Sequence, residues 1–190
     1  MEKMAGMLAD RFYEKSSFPT VSYEAFKYVM EFTLEMAAGI LASAIIAVGL
    51  KMRWETAAFL LIFWILRSYA GGIHLDKFSH CFIFSALVIA GTMAIVKYSC
   101  VPLWFSHFLF MGGIGAFMLT EPENDRNRKV DEEEDAYFKK KLRQSLFAIA
   151  VVYLICALMQ NRKYTFLIAI AVGVVYVLMI LGKVKNAENN

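Results

Sequence analysis

Phe78-Ser79-His80-Cys81-Phe82-Ile83-Phe84-Ser85-Ala86-Leu87-Val88-Ile89-Ala90-Gly91-Thr92-Met93-Ala94-Ile95-Val96 runs for nineteen residues without an aspartate, glutamate, lysine or arginine. At about 1.5 Å per residue, a helix of that length reaches across most of the roughly 30 Å hydrocarbon core of a bilayer. Within that core every backbone polar group needs an internal partner, and a helix supplies one for each. Five more apolar windows lie on either side: Thr33–Leu50, Thr56–Leu66, Val101–Leu119, Leu146–Met159 and Thr165–Leu181. The second and fifth windows of the six are short. They borrow Trp54, Glu55 and Arg67 to Tyr69, and Gln144 and Ser145, as polar ends. Hydrophobic residues make up 59% of the chain and charged ones 19%, against about 45–50% and 25% in soluble domains. The sequence therefore predicts an all-α, polytopic integral membrane helical bundle of about six transmembrane helices, forming a single membrane-embedded domain over 1–190.

The basic residues set the predicted orientation. With a cytoplasmic N-terminus, fifteen lysines and arginines fall in inner segments and five (Lys51, Arg53, Lys97, Arg162, Lys163) in outer loops, the bias expected of the cytoplasmic side. Both termini and the turn between the second and third windows are then cytoplasmic. Residues 1–19 place Met1, Met4, Leu8 and Phe12 at helical spacing with charges between them, which predicts an amphipathic helix on the membrane surface. No apolar run follows a basic start, so no cleavable signal peptide is expected. The net charge of +3 gives no reason to expect a nucleic-acid partner.

Three features allow more than one reading. Glu24, Lys27, Glu31 and Glu35 lie near one helical stripe, either a face in headgroup water or, for Glu31 and Glu35, a contact for a basic part of a substrate. Ala38/Ala42, Gly39/Ser43 and Gly112/Ala116 are small residues four apart, assigned to close helix packing within a protomer or at a dimer interface. Residues 120–145 form a charged cytoplasmic loop with acids (Asp131 to Asp135) before bases (Lys139 to Lys141, Arg143). That order suits a helix dipole and pairs Asp135 with Lys139 at i,i+4. The bases read as a solvated juxtamembrane face or as a docking surface for peptide or anionic headgroups.

The chemistry concentrates in Arg67-Ser68-Tyr69-Ala70-Gly71-Gly72-Ile73-His74-Leu75-Asp76-Lys77-Phe78-Ser79-His80-Cys81. Cysteine is the most readily nucleophilic side chain at neutral pH, and histidine its usual activating base. Along one straight helix, His74 and Cys81 would lie about 10 Å apart, too far for a hydrogen bond. Gly71 and Gly72 offer an exit from the second span, and Asp76 or Ser79 a cap for the third. Cys81 then occupies the first turn of that helix, where the helix dipole and a neighbouring imidazolium both favour a thiolate over a thiol. His80 would face another side of the helix. Asp76 and Ser85 are the candidates for a group orienting the imidazole. The same residues could instead be packing residues at a membrane edge. A metal site at His74, His80 and Cys81 lacks a fourth ligand, and no metal or cofactor is expected. Cys100 and Cys156 form no CxxC pair with Cys81 and read as buried or interfacial packing cysteines. His107, inside the fourth window, either satisfies a polar contact or lines a cavity.

Arg67, Ala70-Gly71-Gly72, His74, Cys81 seven positions further on and Ser85, together with Asn127-Arg128-Lys129-Val130-Asp131-Glu132-Glu133-Glu134, Tyr137 and Lys139–Lys141, resemble the accessory gene regulator B (AgrB) family of Gram-positive bacteria. Thr120-Glu121-Pro122 departs from the Ala-Pro that often precedes the Asn-Arg stretch there. The resemblance implies a cell-membrane cysteine endopeptidase that processes an AgrD-like quorum-sensing propeptide. Cys81 would be the nucleophile and His74 the general base and later acid, with Arg67, Gly72 and Ser85 supporting them. Lys139, Lys140 and Lys141, or Glu31 and Glu35, would meet the charged part of the substrate. It also implies a homodimer in the lipid bilayer. Resolution of an acyl-enzyme by a nucleophile within the same peptide would yield a thiolactone or lactone ring, because intramolecular attack carries a large effective molarity. A non-enzymatic peptide exporter or carrier, and a Cys-dependent acyltransferase, are the competing expectations.

Overall fold

In the computed structural model the residues described are 7, 10, 13, 22–71, 78–120 and 132–188, apart from the side chains at 31, 32, 78, 79, 132, 133, 186 and 188. Six helices follow one another: α1 (Tyr23–Gly49), α2 (Arg53–Ala70), α3 (Phe78–Tyr98), α4 (Leu103–Leu119), α5 (Glu132–Leu158) and α6 (Arg162–Glu188). The segments Tyr23–Gly49, His80–Tyr98, Glu134–Leu158 and Arg162–Lys185 are long and apolar enough to cross a membrane, and Leu103–Leu119 is a shorter apolar helix. The predicted all-α membrane bundle is what the described residues form. Of the amphipathic N-terminal helix, only Met7, Asp10 and Tyr13 are described, each helical. The Tyr13 ring meets Tyr23 edge-on at 5.4 Å and Phe26 at 5.7 Å, and Tyr23 donates a hydrogen bond to Asp10.

Two expectations about segment length change. The fifth window is not short, because α5 runs unbroken for 27 residues from Glu132 to Leu158. From Glu132 onward, the stretch expected as a charged loop is the first half of a transmembrane helix. Its acids precede its bases, and Lys139 pairs with Asp135 at 2.9 Å, so local electrostatics support the helix across the polar-to-apolar boundary. The short helices are α2, with 18 residues, and α4, with 17.

The chain forms two compact units, Met1–Gly49 with Leu75–Ala90, and Leu50–His74 with Gly91–Asn190. In the second unit α6 is the central element, packed against α2, α4 and α5, and α2 also packs on α5. Leu167, Ile168, Ala169, Ala171, Val172 and Val175 are all buried. Near-consecutive positions cover every side of a helix, so α6 is enclosed all round over 167–175. Phe110, Phe117, Leu142, Leu146, Ile149 and Tyr153 close over it from α4 and α5.

Close approach of α4 to α6 depends on Gly113. A Cβ there would lie 3.0 Å from Val172 Cγ1, whereas Gly112 has nothing within 4 Å. Gly112/Ala116, expected as the packing pair, is thus one position out of register with the contact. Gly39 on α1 also has open space around it, while Ser43 is buried and donates to the Gly39 carbonyl at 2.7 Å. A helix faces six residues in under two turns, so small residues at i,i+4 cannot reveal which stripe meets a neighbour.

Three polar pairs in the second unit join different helices, while the buried hydroxyls of Thr56 and Ser106 have no hydrogen-bond partner. His107 Nδ1 lies 2.7 Å from the Tyr153 hydroxyl, and the Tyr153 ring stacks on Phe110 at 3.7 Å. This decides His107 in favour of a polar contact. Thr120 Oγ1 lies 3.1 Å from the Tyr176 hydroxyl. At the other end of α6, Lys163 pairs with Glu55 of α2. Burial pushes the Glu55 carboxyl up. The hydrogen bond from Lys163, a backbone N–H of its own helix turn and the lysine charge outweigh that and hold it below the usual glutamate range. Trp54 and Trp104, in the first turns of α2 and α4, are exposed, as befits aromatic anchors at a membrane interface.

Candidate active site

Cys81 is the fourth residue of α3, in its first turn, half-buried and with a free thiol. α3 begins at Phe78, so Ser79 lies inside the first turn instead of capping it from outside. Ser85 follows one turn later, also half-buried, and the i,i+4 spacing puts it on the same face as Cys81. His80, about 100° round the helix from Cys81, is exposed. This face of α3 belongs to the first unit, as does α1, where Glu35 is half-buried. His74, Gly72, Asp76, residues 127–131 and the Glu31 side chain lie outside the described residues.

The last turn of α2, in the second unit, carries Arg67 and ends at Gly71. Gly71 has φ 74° and ψ −159°, and its N–H donates to the Arg67 carbonyl at 3.2 Å. That backbone conformation is essentially restricted to glycine, which is the physical reason α2 stops here. Arg67 is half-buried with its guanidinium 5.7 Å from the Phe63 ring centroid, a cation near a helix C-terminus where the dipole favours it. The neighbouring Tyr69 ring lies 6.2 Å from Phe138 of α5. The end of α2 is therefore anchored on the charged helix, immediately before the residues that lead to His74.

The basic run of α5 is not one surface. Lys139 and Arg143 line a groove of about 620 Å³ with the C-terminal end of α4. Lys141 lines a second groove of about 510 Å³ between α5 and α2, with Tyr69, Gln144 and Ser145 near it and Cys156 and Tyr164 at the far end. Lys141 also sits 5.5 Å from the Tyr137 ring centroid, and Lys140 is exposed. Only Lys141 of the three lysines shares a groove with the α2 turn that bears Arg67. Successive helical residues are about 100° apart, so a run of bases is divided among faces. Cys156 is half-buried, whereas Cys100 is exposed. Among the described residues no three of histidine, cysteine, aspartate and glutamate come together as metal ligands.

No curated protein and no solved structure matches the chain. The profile of one family, Accessory gene regulator B, matches residues 2–181, which takes in α1 to α5, α6 as far as Leu181, and both sides of the Gly71–Cys81 junction. With a match of that extent, the chain belongs to the accessory gene regulator B (AgrB) family, membrane proteins of quorum-sensing autoinducer processing.

Proposed function

We propose that this protein is a membrane-embedded cysteine endopeptidase that cleaves an AgrD-like propeptide and closes its product into a ring. The observation that carries the reading is a free, half-buried cysteine in the first turn of a membrane helix, preceded by a helix that ends on an obligatory glycine three residues short of a histidine. His74 takes the proton from the Cys81 thiol, and the thiolate attacks the scissile carbonyl. The C–N bond breaks, the leaving amine receives the proton from His74, and the N-terminal part of the substrate remains as a thioester on Cys81. A thiol or hydroxyl within that same peptide then attacks the thioester, which releases the Cys81 thiolate and leaves a thiolactone or lactone. A tethered nucleophile outcompetes water because of its effective molarity and the limited water at a membrane edge.

In this reading Arg67, Gly72 and Ser85 support the dyad. Lys141, at the α2–α5 groove, is the foremost of the basic residues for binding the substrate's charged segment, with Lys139, Lys140, Glu31 and Glu35 as further contacts. The whole chain acts as one peptidase domain, with both termini and the Cys81 turn on the cytoplasmic side, in a homodimer. Intact mass spectrometry of the purified protein with its propeptide tests the proposal. A peptide adduct on Cys81, absent from Cys81→Ala and His74→Ala, with a product lighter by one water than the linear acid, is the expected result. Cleavage that persists in Cys81→Ala overturns it and favours the exporter or carrier reading. Transfer of a fatty acyl group to Cys81 favours the acyltransferase.

A further inference from the structure

α4 and α5 both pack on α6, and between the C-terminal end of α4 and the middle of α5 they leave the 620 Å³ groove. That volume is within the range of about 300–1,000 Å³ typical of ligand sites. Its walls are graded along α5. Thr120, Lys139 and Arg143 line one end, while Ile114, Leu146, Phe147 and Ala150 line the rest. The change from basic to apolar coincides with the polar-to-apolar boundary of α5 at Arg143-Gln144, so the cations stand at headgroup depth and the apolar walls at acyl depth.

We infer that this groove holds one anionic phospholipid, with its phosphate at Arg143 and Lys139 and an acyl chain along Leu146, Phe147 and Ala150. Charge complementarity selects this occupant. The polar end presents Arg143 and Lys139, and the Lys139 ammonium also pairs with Asp135 at 2.9 Å. Arg143 is exposed and forms the principal anchor, since a guanidinium meets a phosphate through paired hydrogen bonds. The remaining walls offer hydrocarbon and no further charge, which suits an acyl chain better than a polar peptide. Apart from Lys139, which the peptidase reading counts among its further contacts, the site stands independently of that reading, because the Arg67 turn of α2 adjoins the other flank of α5.

Native mass spectrometry of the full-length protein, released from nanodiscs of equal phosphatidylglycerol and phosphatidylcholine, tests this. Wild type is expected to retain one phosphatidylglycerol in preference to phosphatidylcholine. Near a membrane surface each basic residue contributes about 1 kcal/mol, or roughly fivefold. Arg143→Gln should therefore lower the preference about fivefold and Arg143→Gln with Lys139→Gln about ten- to thirtyfold. Arg143→Lys should restore most of it, which separates loss of the anchor from misfolding. Lys141→Gln, facing the other groove, should leave retention unchanged, and Ala150→Trp, filling the acyl end, should reduce it. Equal retention of the two lipids by wild type, or undiminished preference in the double variant, overturns the inference. Release of the lipid by a soluble acidic peptide that binds in an Arg143-dependent manner also overturns it, and makes the groove a peptide site.

Discussion

α1 and α6 are both 27-residue apolar helices, yet 61% of the most apolar part of α6 is buried inside the protein against 12% for α1. In a soluble protein, burial would follow hydrophobicity. In a bilayer lipid tails solvate an apolar side chain as well as a protein core does, so apolarity places a helix in the membrane without saying what it touches. What distinguishes α6 is fit: alanines and Gly173 among branched residues, and Gly113 of α4 pressed on Val172. α1 instead presents Val29, Met36, Ile40, Leu41, Ile45 and Val48 outward. The same contrast separates the two units. The packed core lies in the second, whereas Cys81 lies in the first.

The strongest way to sharpen that contrast is to remove the chemistry without touching the core. Cys81→Ala is expected to abolish propeptide cleavage while leaving the thermal unfolding midpoint of the purified protein unchanged. A large fall in the midpoint would mean that Cys81 belongs to the structural core after all. Next comes the core itself. Gly113→Leu drives a side chain into Val172 and should destabilise by about 1–3 kcal/mol, as overpacking does. Equilibrium unfolding in mixed micelles would read it. Gly71→Ala, at the end of α2, places a Cβ in a backbone conformation that costs about 1–3 kcal/mol for other residues. It should lower both stability and cleavage, because the chain leaves α2 there toward His74.

Gly39→Ala is the counterpart on α1. With open space around it, it should be tolerated and can add up to about 1 kcal/mol of helix propensity. Loss of stability there would show that α1 meets a neighbour along that stripe, and analytical ultracentrifugation would tell whether that neighbour is a second copy. The smallest effect belongs to Glu55–Lys163. A partly exposed pair is worth about 0.2–1 kcal/mol. The folded carboxyl is held below its usual range, so its contribution is complete at neutral pH and fades as pH falls through the depressed folded value. Unfolding midpoints of wild type and Glu55→Gln should differ slightly at neutral pH and converge in acid.

Local features were the legible ones. The helix break at Gly71 and the Asp135–Lys139 pair depend on backbone conformation and i,i+4 spacing, both written within a few residues. The Ala-Gly-Gly-x-His-x6-Cys pattern is equally local and pointed to the family that the match over residues 2–181 establishes. The misreadings were of faces. The small-residue pairs were one register off at Gly112, and both readings of the lysine run, a solvated juxtamembrane face or a docking surface, treated it as one face. A 100° turn per residue distributes neighbours in sequence among different neighbours in space.

By itself, then, the sequence determined that this chain is a helical membrane protein, where its second helix must stop, and which side chains can carry nucleophilic chemistry. These follow from the length of apolar runs against bilayer thickness and from the few residues able to adopt or perform what is required. Only the tertiary structure decided that α6 is the enclosed helix, that Gly113 and not Gly112 bears the close contact, and that Lys141 parts company with Lys139 and Arg143. The physical reason is shared by all three: lipid and protein interior are equally apolar, so packing complementarity and not hydrophobicity chooses the neighbours.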